Sequence, residues 1–248
     1  SAPVVVSVNP TPVATITTSA FGNTICGGLN GGVPFAESLT ISTTLIPGAS
    51  YRYIINNDIA GPPTFVTAAL AGVNSFTTDN FSIYDSDLEF MVGIQVINVN
   101  GCSDIVTTTI NLNYVTADLI EIDGGRLVQN ICSGTSPTLD FVSVGAEEAP
   151  DGNNDFRDGA DYPNGAAITY QWQRSIDNTN WFDIGGATAR TYTPTPTLFQ
   201  TTYFRRMSTS TQNGVECEDI SDNIITINVG ANLVGGNVER NTDPGLNT

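Results

Sequence analysis

Side chains that could hold a metal ion are concentrated in one stretch, residues 147–165, which reads EEAPDGNNDFRDGADYPNG. Carboxylate and amide oxygens on a Gly-rich loop are the ligands that calcium prefers. The Asp-Gly-Asn-Asn-Asp run matches the first ligands of an EF-hand loop, but Phe156 and Tyr162 stand where that loop requires Gly and Glu. The sequence therefore excludes an EF-hand and leaves two interpretations, a calcium site of another kind or a solvated acidic loop. In the first interpretation, the ligand candidates are Asp151, Asn153, Asp155, Asp158 and Asp161.

The four cysteines form a second group of chemically active side chains: Cys26, Cys102, Cys132 and Cys217. The chain has no histidine, which excludes the His-rich zinc sites, and none of the cysteines forms a C-x-x-C pair, which disfavours a metal site built from cysteine. The cysteines favour two disulfide bonds formed in an oxidising compartment, and free buried thiols are the alternative.

Aromatic side chains are the third group. Trp181 follows the polar turn Asp-Asn-Thr-Asn and is the candidate for an exposed, sugar-binding Trp; the alternative is a Trp packed beneath a loop. Side chains alternate between the two faces of a strand, so Tyr170 and Trp172 share one face. Tyr51 and Tyr53 have the same spacing in a similar run. We predict that the aromatic residues of these two runs lie in a core: Tyr51, Tyr53, Tyr170 and Trp172.

Composition excludes several other functions. Without histidine there is no Ser-His-Asp triad, and most carboxylates fall in predicted turns rather than at a cleft, so we expect no enzyme. The net charge of -17 repels nucleic acid and anionic membranes. No apolar run reaches about 18 residues, the length at which a helix spans a membrane, so we expect no membrane insertion.

An internal repeat organises the chain. Three motifs recur in the same order, which indicates two copies of a module of about 110 residues. The matched pairs are NTICGG (23–28) with QNICSG (129–134), YRY (51–53) with YQW (170–172), and NGCSDIVTTTINLN (100–113) with VECEDISDNIITINV (215–229). Each copy has one early and one late cysteine, which predicts the pairs Cys26–Cys102 and Cys132–Cys217. Each such bond would close a loop of about 80 residues, worth about 4–5 kcal/mol on a chain-entropy model.

The elements that position these residues are short runs rich in Thr, Val and Ile, separated by Gly, Pro and Asn. No run has helical periodicity, so the fold class is all-β, with tandem antiparallel β-sandwich modules of immunoglobulin-like type. The predicted division is the last strand of a preceding module (1–10), a first module (11–116), a second module (117–230) and the poorly held start of a following module (231–248).

The run from residue 168 to residue 229 resembles the immunoglobulin-like and PKD-like modules of secreted Bacteroidota proteins. The motifs that carry the resemblance are Y-Q-W (170–172), I-x-G-A-T (184–188), T-Y-T-P (191–194), T-T-Y-F-R-R (201–206) and the late Cys followed by acidic residues (217–223). The first copy lacks I-x-G-A-T and R-R. Such modules build large cell-surface adhesins, including the gliding-motility adhesin exported by type IX secretion. The resemblance implies an extracellular, cell-surface protein and supplies no catalytic residue.

We therefore expect two stalk modules that project distal binding domains, with neighbouring modules of the same chain as partners. The short linkers NPTP (9–12) and NYVTADL (113–119) support limited bending. The alternative is a carbohydrate-binding module that contacts extracellular polysaccharide through Trp181. No cofactor is certain, although calcium would stiffen the joints if the acidic loop lay beside them.

Overall fold

The structure is a computed structural model that describes residues 8–30, 33–56, 64–82, 88–115, 119–144 and 166–231. The first sandwich consists of a three-stranded sheet, in the order β1-β4-β7, and a seven-stranded sheet, in the order β6-β5-β9-β10-β2-β3-β8. Its strands are β1 (Thr17–Thr18), β2 (Thr24–Asn30), β3 (Val33–Ala36), β4 (Thr40–Ser42), β5 (Ser50–Asn56), β6 (Leu70–Ala71), β7 (Ser75–Thr77), β8 (Phe81–Ser82), β9 (Glu89–Ile97) and β10 (Ser103–Tyr114).

The second sandwich has the same plan in smaller form. A two-stranded sheet, β11-β13, faces a sheet in the order β12-β18-β16-β14-β15, and β17 pairs with β16. Its strands are β11 (Leu119–Ile122), β12 (Val128–Cys132), β13 (Phe141–Val144), β14 (Ala167–Ser175), β15 (Phe182–Asp183), β16 (Thr202–Gln212), β17 (Val215–Ile220) and β18 (Ile225–Gly230).

Each sandwich has its own core, which arises from period-two alternation. On β9, the alternate residues Phe90, Val92 and Ile94 are fully buried against Tyr51 and Tyr53 of β5. Such alternation buries one face of a strand and leaves its other face to polar side chains. The second core is smaller and is formed by Ile120, Ile122, Phe141, Trp172, Ala187, Leu198, Phe204, Ile225 and Ile227.

The predicted all-β fold of tandem immunoglobulin-like sandwiches is confirmed. One detail differs from a purely antiparallel arrangement, since each sandwich contains one parallel pair. β2 runs parallel to β10 in the first sandwich, and β12 runs parallel to β18 in the second. These parallel pairs join the early strand of each sandwich to its last strand, and they place the early cysteines.

None of the residues that the structure describes forms a helix long and apolar enough to cross a membrane. The predicted module boundaries at residues 10, 116 and 230 stay a prediction, because two of them border residues outside the described ranges. The short linker before the first sandwich is largely exposed, as is Val13 at 76%.

Candidate functional site

The two sandwiches are joined by a disulfide bond. Cys26 lies in β2 directly beside Asn113 of β10 in the parallel register. Cys217 lies in β17 directly opposite Ser210 of β16. The β16–β17 hairpin of the second sandwich reaches the first sandwich here, and Cys26 and Cys217 bond with their Cα atoms 5.6 Å apart. This bond links positions 191 residues apart in the sequence, one in each sandwich.

The predicted pairs Cys26–Cys102 and Cys132–Cys217 are therefore wrong, and strand geometry explains why. Cys26 lies beside Asn113, near the end of the 12-residue strand β10, whereas Cys102 directly precedes that strand. At about 3.3 Å per residue, the two cysteines of the first sandwich are separated by about 35 Å. A disulfide bond requires Cα atoms within about 7 Å.

The same separation holds in the second sandwich. Cys132 lies beside Gly230 in the parallel register, whereas Cys217 lies opposite Ser210. Since β18 pairs with β16 through Thr202, these two positions are near opposite ends of β16. Cys132 is an exposed free thiol and Cys102 is a half-buried one.

The side chain of Asn113 forms buried hydrogen bonds between the two sandwiches. Its amide nitrogen donates to the carbonyl oxygens of Ser210 at 3.1 Å and Val215 at 2.9 Å. Its amide oxygen accepts a 2.5 Å hydrogen bond from the Ser210 hydroxyl. The side chains of Asn113 and Ser210 are 1% and 0% exposed. An Asn side chain has two donor hydrogens and one acceptor oxygen, so both types of group are used in a place that water does not reach.

Two tight turns complete the contact. In the first sandwich, Gly22 and Asn23 adopt φ of 54° and 55°, and the N–H of Thr24 closes the turn on the Phe21 carbonyl at 2.9 Å. In the second, Asn213 and Gly214 have φ of 50° and 80° between β16 and β17. Paired positive φ values favour Gly and Asn, which are the residues present in both turns.

The turns also contact each other. The amide nitrogen of Asn213 donates to the Thr24 hydroxyl at 2.9 Å. A Cβ atom added at Gly22 would lie 3.3 Å from the Asn213 carbonyl oxygen, and one added at Gly214 would lie 3.5 Å from the Phe21 ring. We use the name joint for Cys26, Asn113, Ser210 and Cys217 together with these two turns. The joint combines one covalent bond with buried, satisfied polar contacts, so it resists both separation and rotation of the sandwiches.

Trp181 is half-buried rather than displayed on an open surface. The Arg205 guanidinium lies 4.3 Å from the centroid of the Trp181 ring, and it covers one face of the indole. The Arg205 Nε donates to Gln173 at 2.7 Å, and the Gln173 amide donates to Asp183 at 2.8 Å. The neighbouring Phe182 is 65% exposed. The polar network holds Arg205 against this face of the ring, so a sugar could not stack there.

Three of the four predicted core aromatics are fully buried. Tyr51, Tyr53 and Trp172 are each 0% exposed, and the Trp172 indole N–H donates to the Ala189 carbonyl at 3.0 Å. The Tyr53 hydroxyl donates to the Val73 carbonyl at 2.8 Å. Burial, with a smaller Coulombic contribution from Tyr51, raises the pKa of Tyr53 to about 12.

Tyr170 differs from this core prediction because it is only half-buried. The Arg206 guanidinium lies 4.4 Å from its ring centroid and fills the space beside it. Arg206 is itself 0% exposed, and it donates from Nη1 to the Arg190 carbonyl at 2.7 Å. Burial lowers the pKa of Arg206 to about 10. Arg206 of β16 therefore occupies the core position that the alternating pattern had predicted for Tyr170.

The five calcium-ligand candidates, Asp151, Asn153, Asp155, Asp158 and Asp161, lie outside the described residues. Among the residues that the structure does describe, no group of three or more His, Cys, Asp or Glu side chains could hold a metal ion. Ala166, which follows the acidic segment directly, is 6% exposed and packs against the core of the first sandwich.

Sequence reasoning did not single out Asn113 or Ser210. A signal for Asn113 was present, because the I-N-L-N run that ends at residue 113 resembles the V-S-V-N run that ends at Asn9. The N-G pair at residues 213–214 also marks a two-residue hairpin, which predicts a projecting tip. Nothing in the sequence indicated that this tip contacts the other sandwich.

One family model matches most of the second sandwich. Residues 126–231 match the family model described as "Domain of unknown function (DUF8696)". No curated protein matches the chain significantly.

Solved structures that this chain resembles include immunoglobulin-like and fibronectin(III)-like modules and bacterial adhesins. It is similar to fibronectin(III)-like modules of Clostridium thermocellum CbhA, with 10% identity and a TM-score of 0.37 over 88% of this chain and 95% of that chain. It is also similar to a Ca²⁺-stabilized adhesin with which an Antarctic bacterium binds ice, with 12% identity and a TM-score of 0.34 over 90% of this chain and 50% of that chain. These scores and identities are too low to transfer a function.

Proposed function

We propose that this chain is a pair of load-bearing spacer modules from an extracellular adhesin, and that the joint is its functional site. The observation that carries the proposal is the Cys26–Cys217 bond between the sandwiches. A spacer must transmit tension along the chain without lengthening, and a covalent bond between consecutive modules supplies that property.

The path of force through the joint explains the advantage. Tension applied to the two ends of the chain reaches Cys26, crosses the disulfide bond and continues from Cys217. The residues between these cysteines, which include most of both sandwiches, lie outside that path. While the bond is intact, only β1, part of β2, part of β17 and β18 bear the load, so most of each sandwich keeps its length.

Composition and the sequence resemblance support an extracellular setting. Structural disulfide bonds persist in oxidising compartments and are rare in reducing ones. The net charge of -17 with only 13% charged residues keeps a long extracellular array soluble without attracting nucleic acid. On the resemblance of residues 168–229 to gliding-adhesin modules, we propose a Bacteroidota gliding adhesin, exported by type IX secretion to the cell surface, as the parent protein. No catalytic residue is assigned.

Single-molecule pulling from both ends tests this proposal. With the bond intact, we expect no extension step longer than about 12 nm, because only 34 of the described residues (8–26 and 217–231) lie in the force path, each worth about 3.5 Å. After reduction, or in the double variant C26S/C217S, each sandwich unfolds separately in a step of about 35 nm. Two steps of about 35 nm in the oxidised protein would refute the load-bearing role.

The second candidate function is direct polysaccharide binding, which the 65% exposure of Phe182 beside Trp181 favours. Its test is binding of the purified chain to a panel of polysaccharides, with calcium and with chelator. Saturable binding that is lost in Trp181→Ala and kept in Trp172→Phe would establish a lectin-like module. We expect no such binding, because Arg205 covers the ring of Trp181.

A further inference from the structure

We propose that Cys102 and Cys132 form further joints of the same kind. Each would make a disulfide bond with the complementary cysteine of another such module. The inference rests on the proposed function and deepens it by naming the partner of Cys102 and Cys132. That partner is a second sandwich pair with the same two free cysteines. The basis of the inference is that each free cysteine occupies the position that a bonded cysteine occupies in the other sandwich.

Cys132 is the counterpart of Cys26. In the first sandwich, the parallel pairing of β2 with β10 sets Cys26 beside Asn113. In the second, the parallel pairing of β12 with β18 sets Cys132 beside Gly230. Both cysteines follow Ile in an I-C-x-G run, and both lie beside the last residue of an I-N-x-x run. Cys132 therefore marks the end of the second sandwich that corresponds to the joint end of the first.

Cys102 is the counterpart of Cys217. Cys217 lies opposite Ser210 across the β16–β17 hairpin, and Cys102 lies opposite Asn98, whose N–H donates to the Cys102 carbonyl at 2.9 Å. Both cysteines begin a C-x-D-I run. In each run the Asp carboxylate accepts a hydrogen bond from the N–H of the following Ile, at 3.0 Å after Cys102 and 2.8 Å after Cys217.

The chain entering the first sandwich supports this equivalence independently. At the joint, the amide nitrogen of Asn113 donates to the Ser210 carbonyl at 3.1 Å as the chain passes from one sandwich to the next. At the other end, the amide nitrogen of Asn98 donates to the Pro10 carbonyl at 3.0 Å. The segment leading into each sandwich thus runs beside the hairpin that carries the late cysteine.

The two ends of the sandwich pair are therefore complementary to each other. One end presents the Cys26-like thiol of Cys132, which is exposed, and the other presents the Cys217-like thiol of Cys102. A contact between two different surfaces produces linear arrays unless its rotation closes a ring. One difference is that Gly230 stands where the joint has Asn113, so the junction at Cys132 lacks the amide contacts. The disulfide bond therefore contributes a larger share of the stability of that junction.

Bond formation requires a disulfide oxidant, for which glutathione disulfide serves. The Cys132 thiolate attacks one sulfur of glutathione disulfide and releases one glutathione thiolate. The Cys102 thiolate of a second chain then attacks the mixed disulfide and releases the second glutathione. The two protein thiols lose two electrons in total and one glutathione disulfide is reduced, so the exchange is balanced.

Two single variants of the full chain test the proposal. C102S keeps Cys132 and C132S keeps Cys102, and both keep the Cys26–Cys217 bond. In glutathione disulfide, an equal mixture of the two should form a disulfide-linked dimer at least about tenfold faster than either variant alone, a factor that about 1.4 kcal/mol of specific contact energy supplies. The wild-type chain should form a ladder of longer products, and the double variant C102S/C132S should form none.

The identity of the cross-link decides the outcome. Trypsin cleaves after at least one arginine between each successive pair of cysteines, so residues 53–126 carry Cys102 alone and residues 127–157 carry Cys132 alone. A linked pair of these two peptides supports the proposal. Dimers that form in one variant alone as fast as in the mixture would overturn it, and so would monomers with both thiols free. Pulling on C102S/C132S reads only the Cys26–Cys217 joint, so failure of the proposed function is distinguishable from failure of this inference.

Discussion

Removal of the Cys26–Cys217 bond should destabilise each sandwich as well as loosen the joint. Cys26 lies beside Asn113, and Asn113 contacts Ser210 opposite Cys217, so the chain positions at the joint are almost coincident in space. If the second sandwich unfolds while the first stays folded, the bond therefore closes an unfolded loop of about 100 residues. On the chain-entropy model, such a loop restricts the unfolded state by about 4.7 kcal/mol.

Urea denaturation followed by Trp fluorescence measures this effect, because both Trp residues lie in the second sandwich. For a domain of this size, the urea dependence of the unfolding free energy is about 1.5–2 kcal/mol per molar. The double variant C26S/C217S should thus unfold at a urea concentration about 2–3 M lower than the wild type. The matched control is C102S/C132S, which keeps the bond and should keep the wild-type midpoint.

Two results would refute this reasoning. A shift smaller than about 0.5 M in C26S/C217S, equal to less than about 1 kcal/mol, would mean that the bond does not restrict the unfolded second sandwich. A large shift in C102S/C132S would mean that Cys102 and Cys132 are the stabilising cysteines instead.

Three further predictions concern single side chains. Asn113→Ala in the C26S/C217S background should lower the unfolding free energy of the second sandwich by about 1–3 kcal/mol, because it leaves buried Ser210 groups without their partner; an unchanged urea midpoint would contradict the account. Trp172→Ala should cost about 3–5 kcal/mol in the same assay followed by circular dichroism, since it empties the centre of the second core, and a cost below about 1 kcal/mol would show that Trp172 is not a core residue. Tyr53 has its pKa raised from about 10 to about 12, so its contribution to stability is complete below pH 10 and is lost as the pH rises towards 12; Tyr53→Phe should lose less stability than the wild type between pH 10 and pH 12, and equal losses would contradict this assignment.

Much of the fold could be predicted because it depends on local patterns that repeat. Alternation of apolar residues identified the strands, and the matching I-C-x-G and C-x-D-I runs revealed two similar modules. Full burial of Trp172 and Tyr53 follows from the same alternation. Tyr170 departs from it because Arg206 of the neighbouring strand occupies the adjacent core space, and cross-strand neighbours are not visible in one sequence.

The joint could not be predicted because it depends on which strand ends meet. The repeat correctly made Cys26 equivalent to Cys132, and Cys102 equivalent to Cys217. It did not show that the two cysteines of one module lie at opposite ends of a sandwich. That separation follows from the parallel register of β2 with β10, a long-range pairing that leaves no local signal. The role of Asn113 depends on the same register.

The central claim is that one disulfide bond links the two modules, and peptide mapping without reduction tests it most directly. After free thiols are alkylated and the denatured chain is digested with trypsin, each cysteine lies in its own peptide. The structure predicts that residues 1–52 are linked to residues 207–240, and that the peptides carrying Cys102 and Cys132 are alkylated. Linkage of residues 1–52 to residues 53–126, with residues 127–157 linked to residues 207–240, would place each bond within one module and contradict the account.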